Sequence, residues 1–522
     1  MLILVGSCFQ SLAHTPASSK PLSSTSEFRN PVIWEDLADV DIFRVGNTFY
    51  YSASNMHYSP GAPILRSYDL VHWEYVGHSV PVLDFGSGYD LNGGNAYVKG
   101  TWASFLGYRP SDKTFYWGGC IPVSSKTYIY TAKSVEGPWS RHAVLPKCYY
   151  DAGLLVDDDG TMYVAYGNTT LHVAQLSPDA TSEVKSETVF TAPPDVKVLE
   201  GSRFYKVNGS YYIFTDHPPD GEYVLRSTTG PFGPYTMRPL VVRAVPPVPG
   251  AGSPHQGGIV QTQRGDWYYM AFIDAFPGGR IPVLAPLRWN TDGWPALDIR
   301  DNTWGISYPY PLPPHPLPSL AGTDRFRGTI LGPQWEWNHN PDNTKWSFDH
   351  GLILKTATVT NDLYKARNTL THRILGPEST ATIVLDDTGM KDGGRAGLAL
   401  FRDSSAWVGV EREHGDYRVL MEDNLTMNRR WQTTSTGTEV ASQAVPAGRI
   451  WLRASADIRP GPGRTAHFFW SNDGHNFRPI GTPFVLDTDW PFFMGYRYAI
   501  FHFSTQSLGG KVRVASFTMT RP

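Results

Sequence analysis

Gly46-Asn-Thr-Phe-Tyr-Tyr51, Asp112-Lys-Thr-Phe-Tyr-Trp117, Asp159-Gly-Thr-Met-Tyr-Val164, Asn208-Gly-Ser-Tyr-Tyr-Ile213 and Gly265-Asp-Trp-Tyr-Tyr-Met270 are five copies of one pattern, a turn followed at once by an aromatic strand. Gly, Asn and Asp supply the backbone freedom a hairpin turn needs, and the aromatic and β-branched residues after them fit a pleated surface. With Tyr50, Tyr116, Tyr163, Tyr212 and Tyr268 as markers, the separations are 66, 47, 49 and 56 residues. That spacing matches one four-stranded blade per copy with loop insertions. Amphipathic helical periodicity is hard to find anywhere in the chain, so the fold class expected is all-β, with a five-bladed β-propeller in its first part.

In such a propeller the segment before each turn is the innermost strand of its blade. Those segments carry Asp39 and Asp41 in LADVDIFRV, Trp102 in TWASF, Asp151 in YDAGLLV, Glu200 in LEGSRFY and His255 in PHQGGIV. Five blades thus deliver ionisable or aromatic groups to one axis, and charged residues rarely sit in apolar strands without a partner or a task.

Outward from the repeat, the run Tyr308-Pro-Tyr-Pro-Leu-Pro-Pro-His-Pro-Leu-Pro318 reads as a stiff extended linker. Beyond it, strands such as GLALFRD, WVGVERE, YRVLMED, WLRASADI and HFFWSND alternate with polar turns, which predicts a C-terminal β-sandwich. The division expected is an N-terminal tail over 1–26, a propeller over 27–307, a linker over 308–320 and a sandwich over 321–522. The sandwich offers no cluster of catalytic type and is expected to pack on the propeller.

At 522 residues two cores are natural. Lys and Arg number 45 against 48 Asp and Glu and are scattered, which argues against nucleic acid as a partner. No apolar run reaches the roughly 18 residues of a membrane-spanning helix, so no membrane partner is expected. The start MLILVGSC reads as the remnant of a secretory signal, and the sequons at Asn168, Asn208 and Asn424 are compatible with a secreted, extracellular protein. Without Cys8, Cys120 and Cys148 remain, either as one disulfide or as two buried thiols. The 13% aromatic content suits either sugar-ring stacking or an aromatic-rich core.

Hydrolysing a glycoside with inversion takes one carboxylate to activate water and one carboxylic acid to protonate the leaving oxygen, roughly 6.5 to 9.5 Å apart. A third carboxylate beside the acid keeps it protonated by like-charge repulsion. Asp39, Asp151 and Glu200 supply three such groups from three blades.

The sequence here resembles glycoside hydrolase family 43, whose five-bladed propeller enzymes act on arabinan, arabinoxylan and xylan. Asn30-Pro-Val-Ile-Trp-Glu-Asp-Leu-Ala-Asp-Val-Asp-Ile42 is similar to the family opening, with Asp39 at the place of the base, Val40 where the family has proline, and Asp41 as the rival aspartate. Tyr150-Asp-Ala-Gly-Leu-Leu-Val-Asp-Asp-Asp-Gly160 resembles the segment of the second aspartate, which makes Asp151 the modulator and Asp157 to Asp159 turn residues. Leu199 to Gly209 resembles the third motif, with Glu200 as general acid. The resemblance makes His255 an active-site residue that in relatives supports a calcium or a water cluster, and Arg280 a residue that bonds the sugar or the acid. It implies no required cofactor and allows a structural calcium. Trp102, with Phe85 and Tyr166 behind it, is the expected aromatic wall for the sugar. Trp289 and Trp294 read as packing residues, and Ser67-Tyr-Asp-Leu-Val-His-Trp73 as a structural turn.

The function expected from this resemblance is an inverting α-L-arabinofuranosidase, acting as a monomer on arabinose side chains of arabinoxylan or a related hemicellulose, including those on doubly substituted xylose. A β-xylosidase or arabinanase of the same family, a non-catalytic glycan-binding propeller and an adhesion protein driven by the sandwich are the alternatives.

Overall fold

The computed structural model describes residues 27–522, so the signal reading and Cys8 lie outside the described residues. Five four-stranded antiparallel sheets form the propeller, each running in chain order from its inner to its outer strand apart from the short Tyr58–Ser59 strand, which leaves blade 1 for the second domain. The inner strands are Asp41–Val45, Phe105–Arg109, Gly153–Val156, Glu200–Val207 and His255–Gln261. Each touches the next around the axis, and the fifth returns to the first. The five marker tyrosines all fall on the second strand of their blade, directly after the hairpin turn, as the repeat requires.

Among the described residues no strand shared between the first and last blades closes the ring. Asn30 does so through its side chain: its amide donates to the carbonyls of Leu284 and Gly305, each at 2.9 Å, and its oxygen accepts from Leu284 N at 2.8 Å. Arg44 Nε of blade 1 adds a bond to the Gln261 carbonyl of blade 5 at 2.6 Å.

The second domain is a β-sandwich of a nine-stranded and an eight-stranded sheet around its own apolar core. The eight-stranded sheet ends on Tyr58–Ser59, which pairs with Trp337 and Asn338. A further apolar cluster spans both domains and joins Met56, Tyr58, Tyr97 and Val98 to Leu363, Phe492 and Met494. The Pro-rich segment is likewise fastened: Ser307–Pro309 pairs with Glu27–Arg29, and His315 N donates to Asp69 Oδ2 at 2.7 Å. Asp69 also caps the turn of the Ser67–Trp73 segment through the amides of Val71 and His72.

Candidate active site

Asp39, Trp102, Asp151, Glu200 and His255 all line one cavity of about 600 Å³ at the end of the propeller where the inner strands begin. Glu200 and His255 are the first residues of their strands, and Asp39, Trp102 and Asp151 lie just ahead of theirs. Arg280 completes the set.

Local backbone aims these groups. Asp39 and Asp151 both occupy the left-handed region, with φ of 60° and 50°, a conformation that costs a side-chain-bearing residue about 1–2 kcal/mol and that Asp tolerates better than most. A bulge between Glu200 and Arg203 turns Glu200 out of the regular ladder. Gly153 lets the inner strands of blades 3 and 4 approach, since a Cβ there would meet the Ser202 carbonyl at 2.4 Å.

Arg203, 1% exposed, locks three of the loops together. Its guanidinium donates to the carbonyls of Val40, Asp39, Ala152 and Ser202 at 2.6, 2.7, 3.1 and 2.9 Å. Asp41, the rival aspartate, points away from the cavity: it accepts from Leu106 N at 2.6 Å and faces Arg203 at 3.8 Å, and burial pushes it up to about 6.

Arg280 differs from the expectation in its partner. Among protein groups it pairs not with Glu200 but with Asp39, Nη1 to Oδ1 at 2.8 Å, with both groups buried. Its Nε donates to the Phe493 carbonyl at 3.0 Å, and its plane lies over the Phe272 and Phe493 rings.

Glu200 is raised above the ordinary carboxylate range by burial first and then by the Asp216 carboxylate, and lowered in part by donors from Asn168 and Tyr150. Asp151 is fully buried and is also raised, by burial and by the charges of Glu200 and Asp39, against the pull of Arg203. The two therefore hold a proton to higher pH than an isolated carboxylate would. The sequon at Asn168 belongs to this site, because its amide nitrogen donates to Glu200 Oε2.

His255 is buried between two carboxylates, Nδ1 to Asp216 at 3.0 Å and Nε2 to Asp274 at 3.5 Å. Burial alone would lower it, but Asp216 and Asp274 override that and lift it to about 10. Among the described residues no group of three or more His, Cys, Asp or Glu side chains is placed to hold a metal.

Trp102 is a wall of the cavity, held by Nε1 to the Val98 carbonyl at 2.7 Å. Phe85 and Tyr166 are not. Phe85 packs edge-on to Tyr89 and Tyr128, and Tyr166 stacks on His172 with its hydroxyl on Ser186, so both are interblade core. Trp289 packs against Tyr212 and Trp267, and Trp294 is buried beneath Arg238. Sequence reasoning missed Asp216, Asp274, Tyr150, Phe272 and, from the sandwich, Trp490 and Phe493. The signal for the last two was the aromatic run Trp490-Pro-Phe-Phe493, which breaks the strand alternation around it. Arg402 holds that loop through the carbonyls of Met494 and Asp487 at 2.9 and 3.1 Å.

Cys120 and Cys148 form a disulfide, which decides between the two readings left open by the sequence.

Comparison with known proteins accords with this geometry. Residues 28–295 match the glycosyl hydrolases family 43, and residues 323–520 match the β-xylosidase C-terminal concanavalin A-like domain. A solved family-43 glycoside hydrolase, engineered to display both endo-xylanase and exo-arabinofuranosidase activity, is 49% identical with a TM-score of 0.92, over 95% of this chain and 100% of its own. A β-xylosidase of Formosa agariphila is 29% identical over 94% of this chain and 89% of its own length. The non-reducing end α-L-arabinofuranosidase BoGH43B of Bacteroides ovatus is 31% identical over 64% of this chain and 66% of its own.

Proposed function

The chain belongs to glycosyl hydrolases family 43, and from that premise we propose that it is an inverting, exo-acting α-L-arabinofuranosidase that removes arabinose side chains from arabinoxylan, including those on doubly substituted xylose. Asp39 is the general base. The Arg280 fork orients its carboxylate, ready to take a proton from the attacking water. Glu200 is the general acid and delivers its proton to the glycosidic oxygen as the bond to the anomeric carbon breaks. Asp151 sits beside the acid as a buried carboxyl that shares its repulsion, so a proton stays on the pair. Charge balances over the step: one proton leaves water for Asp39, and one leaves Glu200 for the released alcohol. The aromatic rings of Trp102, Phe272 and Phe493 offer faces for the furanose.

The observation that carries this reading is the convergence of Asp39, Asp151 and Glu200, from three blades, on one aromatic-walled cavity. The exo-arabinofuranosidase activity displayed by the engineered relative at 49% identity favours arabinose over xylose as the sugar released. The β-xylosidase name of the Formosa agariphila relative favours the second reading, β-xylosidase action through the same three carboxylates. The disulfide supports secretion into an oxidising compartment.

The test is sugar release from wheat-type arabinoxylan before and after removal of singly substituted arabinose, with proton NMR of the first-formed anomer. Free β-arabinofuranose is expected, and its persistence after the pretreatment assigns doubly substituted xylose. Xylose as the sole product transfers the assignment to β-xylosidase.

A further inference from the structure

Behind Glu200 lies a row of acids that the three-carboxylate scheme does not use. Glu200, Asp216 and Glu222 are direct cross-strand partners on the first three strands of blade 4. Asp216 is 1% exposed and Glu222 is fully buried. Three carboxyl groups in register across a sheet, away from water, repel one another unless some are protonated or paired. One cation faces the row: His255, bonded to Asp216 through Nδ1 at 3.0 Å and backed by Asp274 on its other nitrogen.

We propose that Asp216, held as an anion by His255, is a positioning residue for the general acid, acting on Glu200 from the blade-5 side as Asp151 acts from blade 3. The inference rests on Glu200 being the acid. Asp216 faces Glu200, Glu222, His255, Asp274 and Asp39, and of these only His255 is a cation. Glu222, whose neighbours are the Tyr269 hydroxyl and the Gly257 N–H, is pushed far upward by burial and by Asp216, whereas Asp216, also raised by burial, is drawn back by His255, so Glu222 is the one of the two that keeps its proton more firmly. Glu200 in turn faces Asp216, Asp39, Tyr150 and Asn168, with Asp151 sharing its repulsion. The first two hold the proton on Glu200, and the donors from Tyr150 and Asn168 favour its loss. His255 thus keeps a buried anion charged next to the acid.

The experiment is the pH dependence of kcat/KM on arabinoxylan oligosaccharides for the full chain and its Asp216→Asn, His255→Gln, Glu222→Gln and Asn168→Ala variants. Asp216→Asn removes the repulsion, so the alkaline limb moves to lower pH. A shift of one unit reads as about a tenfold loss above the limb relative to the rate below it. His255→Gln lets Asp216 take up a proton and moves the limb the same way. Asn168→Ala removes a donor to the ionised form and moves it upward. Glu222→Gln replaces a group already neutral and leaves it in place.

An unmoved limb in Asp216→Asn, or a uniform loss at every pH, overturns the proposal. If Asp216→Asn does not fold, His255→Gln decides the question by the same criterion. A shift in Glu222→Gln equal to that of Asp216→Asn also overturns it, because the effect would then belong to the packing of the row. Failure of the underlying assignment looks different: Glu200→Gln would then keep its turnover on oligosaccharides, whereas a true acid variant loses that turnover yet still cleaves 4-nitrophenyl α-L-arabinofuranoside, whose leaving group needs no proton.

Discussion

Arg280 Nη1 lies 2.8 Å from Asp39 Oδ1, and the pair is buried at the seam between the propeller and the sandwich. The same guanidinium reaches the carbonyl of Phe493, so Asp39 and an aromatic wall contributed by the second domain are held by one side chain. A buried carboxylate without its counter-charge loses the partner that fixes its orientation.

Arg280→Ala is therefore expected to lower kcat by about 10²-fold or more, and Arg280→Lys to recover only part of it, because an ammonium lacks the fork that spans Asp39 and the Phe493 carbonyl. Steady-state kinetics on arabinoxylan oligosaccharides checks this. Wild-type kcat in Arg280→Ala would remove the pair from the catalytic machinery.

Phe493 sits at a left-handed position after a single 3-10 turn, Trp490–Phe492, and its ring meets Trp102 across the cavity at 6.4 Å between centroids. Phe493→Ala deletes one face of the cavity while leaving the carboxylates in place. KM is expected to rise by about tenfold, the equivalent of roughly 1.4 kcal/mol of lost stacking, with a smaller change in kcat. The reverse pattern, a fall in kcat at constant KM, would show that Phe493 acts through Arg280 and Asp39 instead.

The blades were legible in the sequence because each hairpin turn is local, and a turn with its aromatic strand recurs as a short continuous string. The same locality exposed Asp39, Asp151 and Glu200, which sit at fixed offsets ahead of those turns. Asp216 and Asp274 were not legible, since their meaning comes from pairing with Glu200 and His255 across strands and blades. Trp490 and Phe493 were hidden for a related reason: nothing in a local pattern says that a loop of the sandwich folds back over the propeller axis. Phe85 and Tyr166 have the composition of a sugar wall but pack into the apolar clusters between blades, and facing is decided by register, which composition does not encode.

Cys120, on the second strand of blade 2, is bridged to Cys148 in the connection to blade 3, at a sequence separation of 28. Closing a loop of that length removes chain entropy from the unfolded state worth about 3–4 kcal/mol. A Cys120→Ser, Cys148→Ser double variant is expected to lose stability of that order in equilibrium denaturation while keeping its cleavage specificity, because neither residue lines the active-site cavity. A double variant as stable as the parent would mean that the bridge constrains nothing the fold does not already hold.

The domain seam also carries a pH response of its own. Glu35 is fully buried; burial raises it to about 7, against the pull of the Tyr75 hydroxyl, Arg373 and Arg497 and with a push from Glu336. In the unfolded chain the same carboxyl titrates at its ordinary value, near 4.5. Between those two values the folded state binds the extra proton, so stability is fully present below the lower one and declines as pH rises through the upper one. The loss amounts to at most about 3 kcal/mol for this group. Glu35→Gln keeps an acceptor for Tyr75 Oη, 2.5 Å away in the parent, and has no proton to lose. Relative to the parent it is expected to gain stability between pH 5 and pH 8, read as a flatter dependence of the unfolding free energy on pH over about that range. Parallel curves for the two proteins would mean that Glu35 is ionised in the fold at neutral pH, stabilised by Arg373 and Arg497 more strongly than burial opposes it.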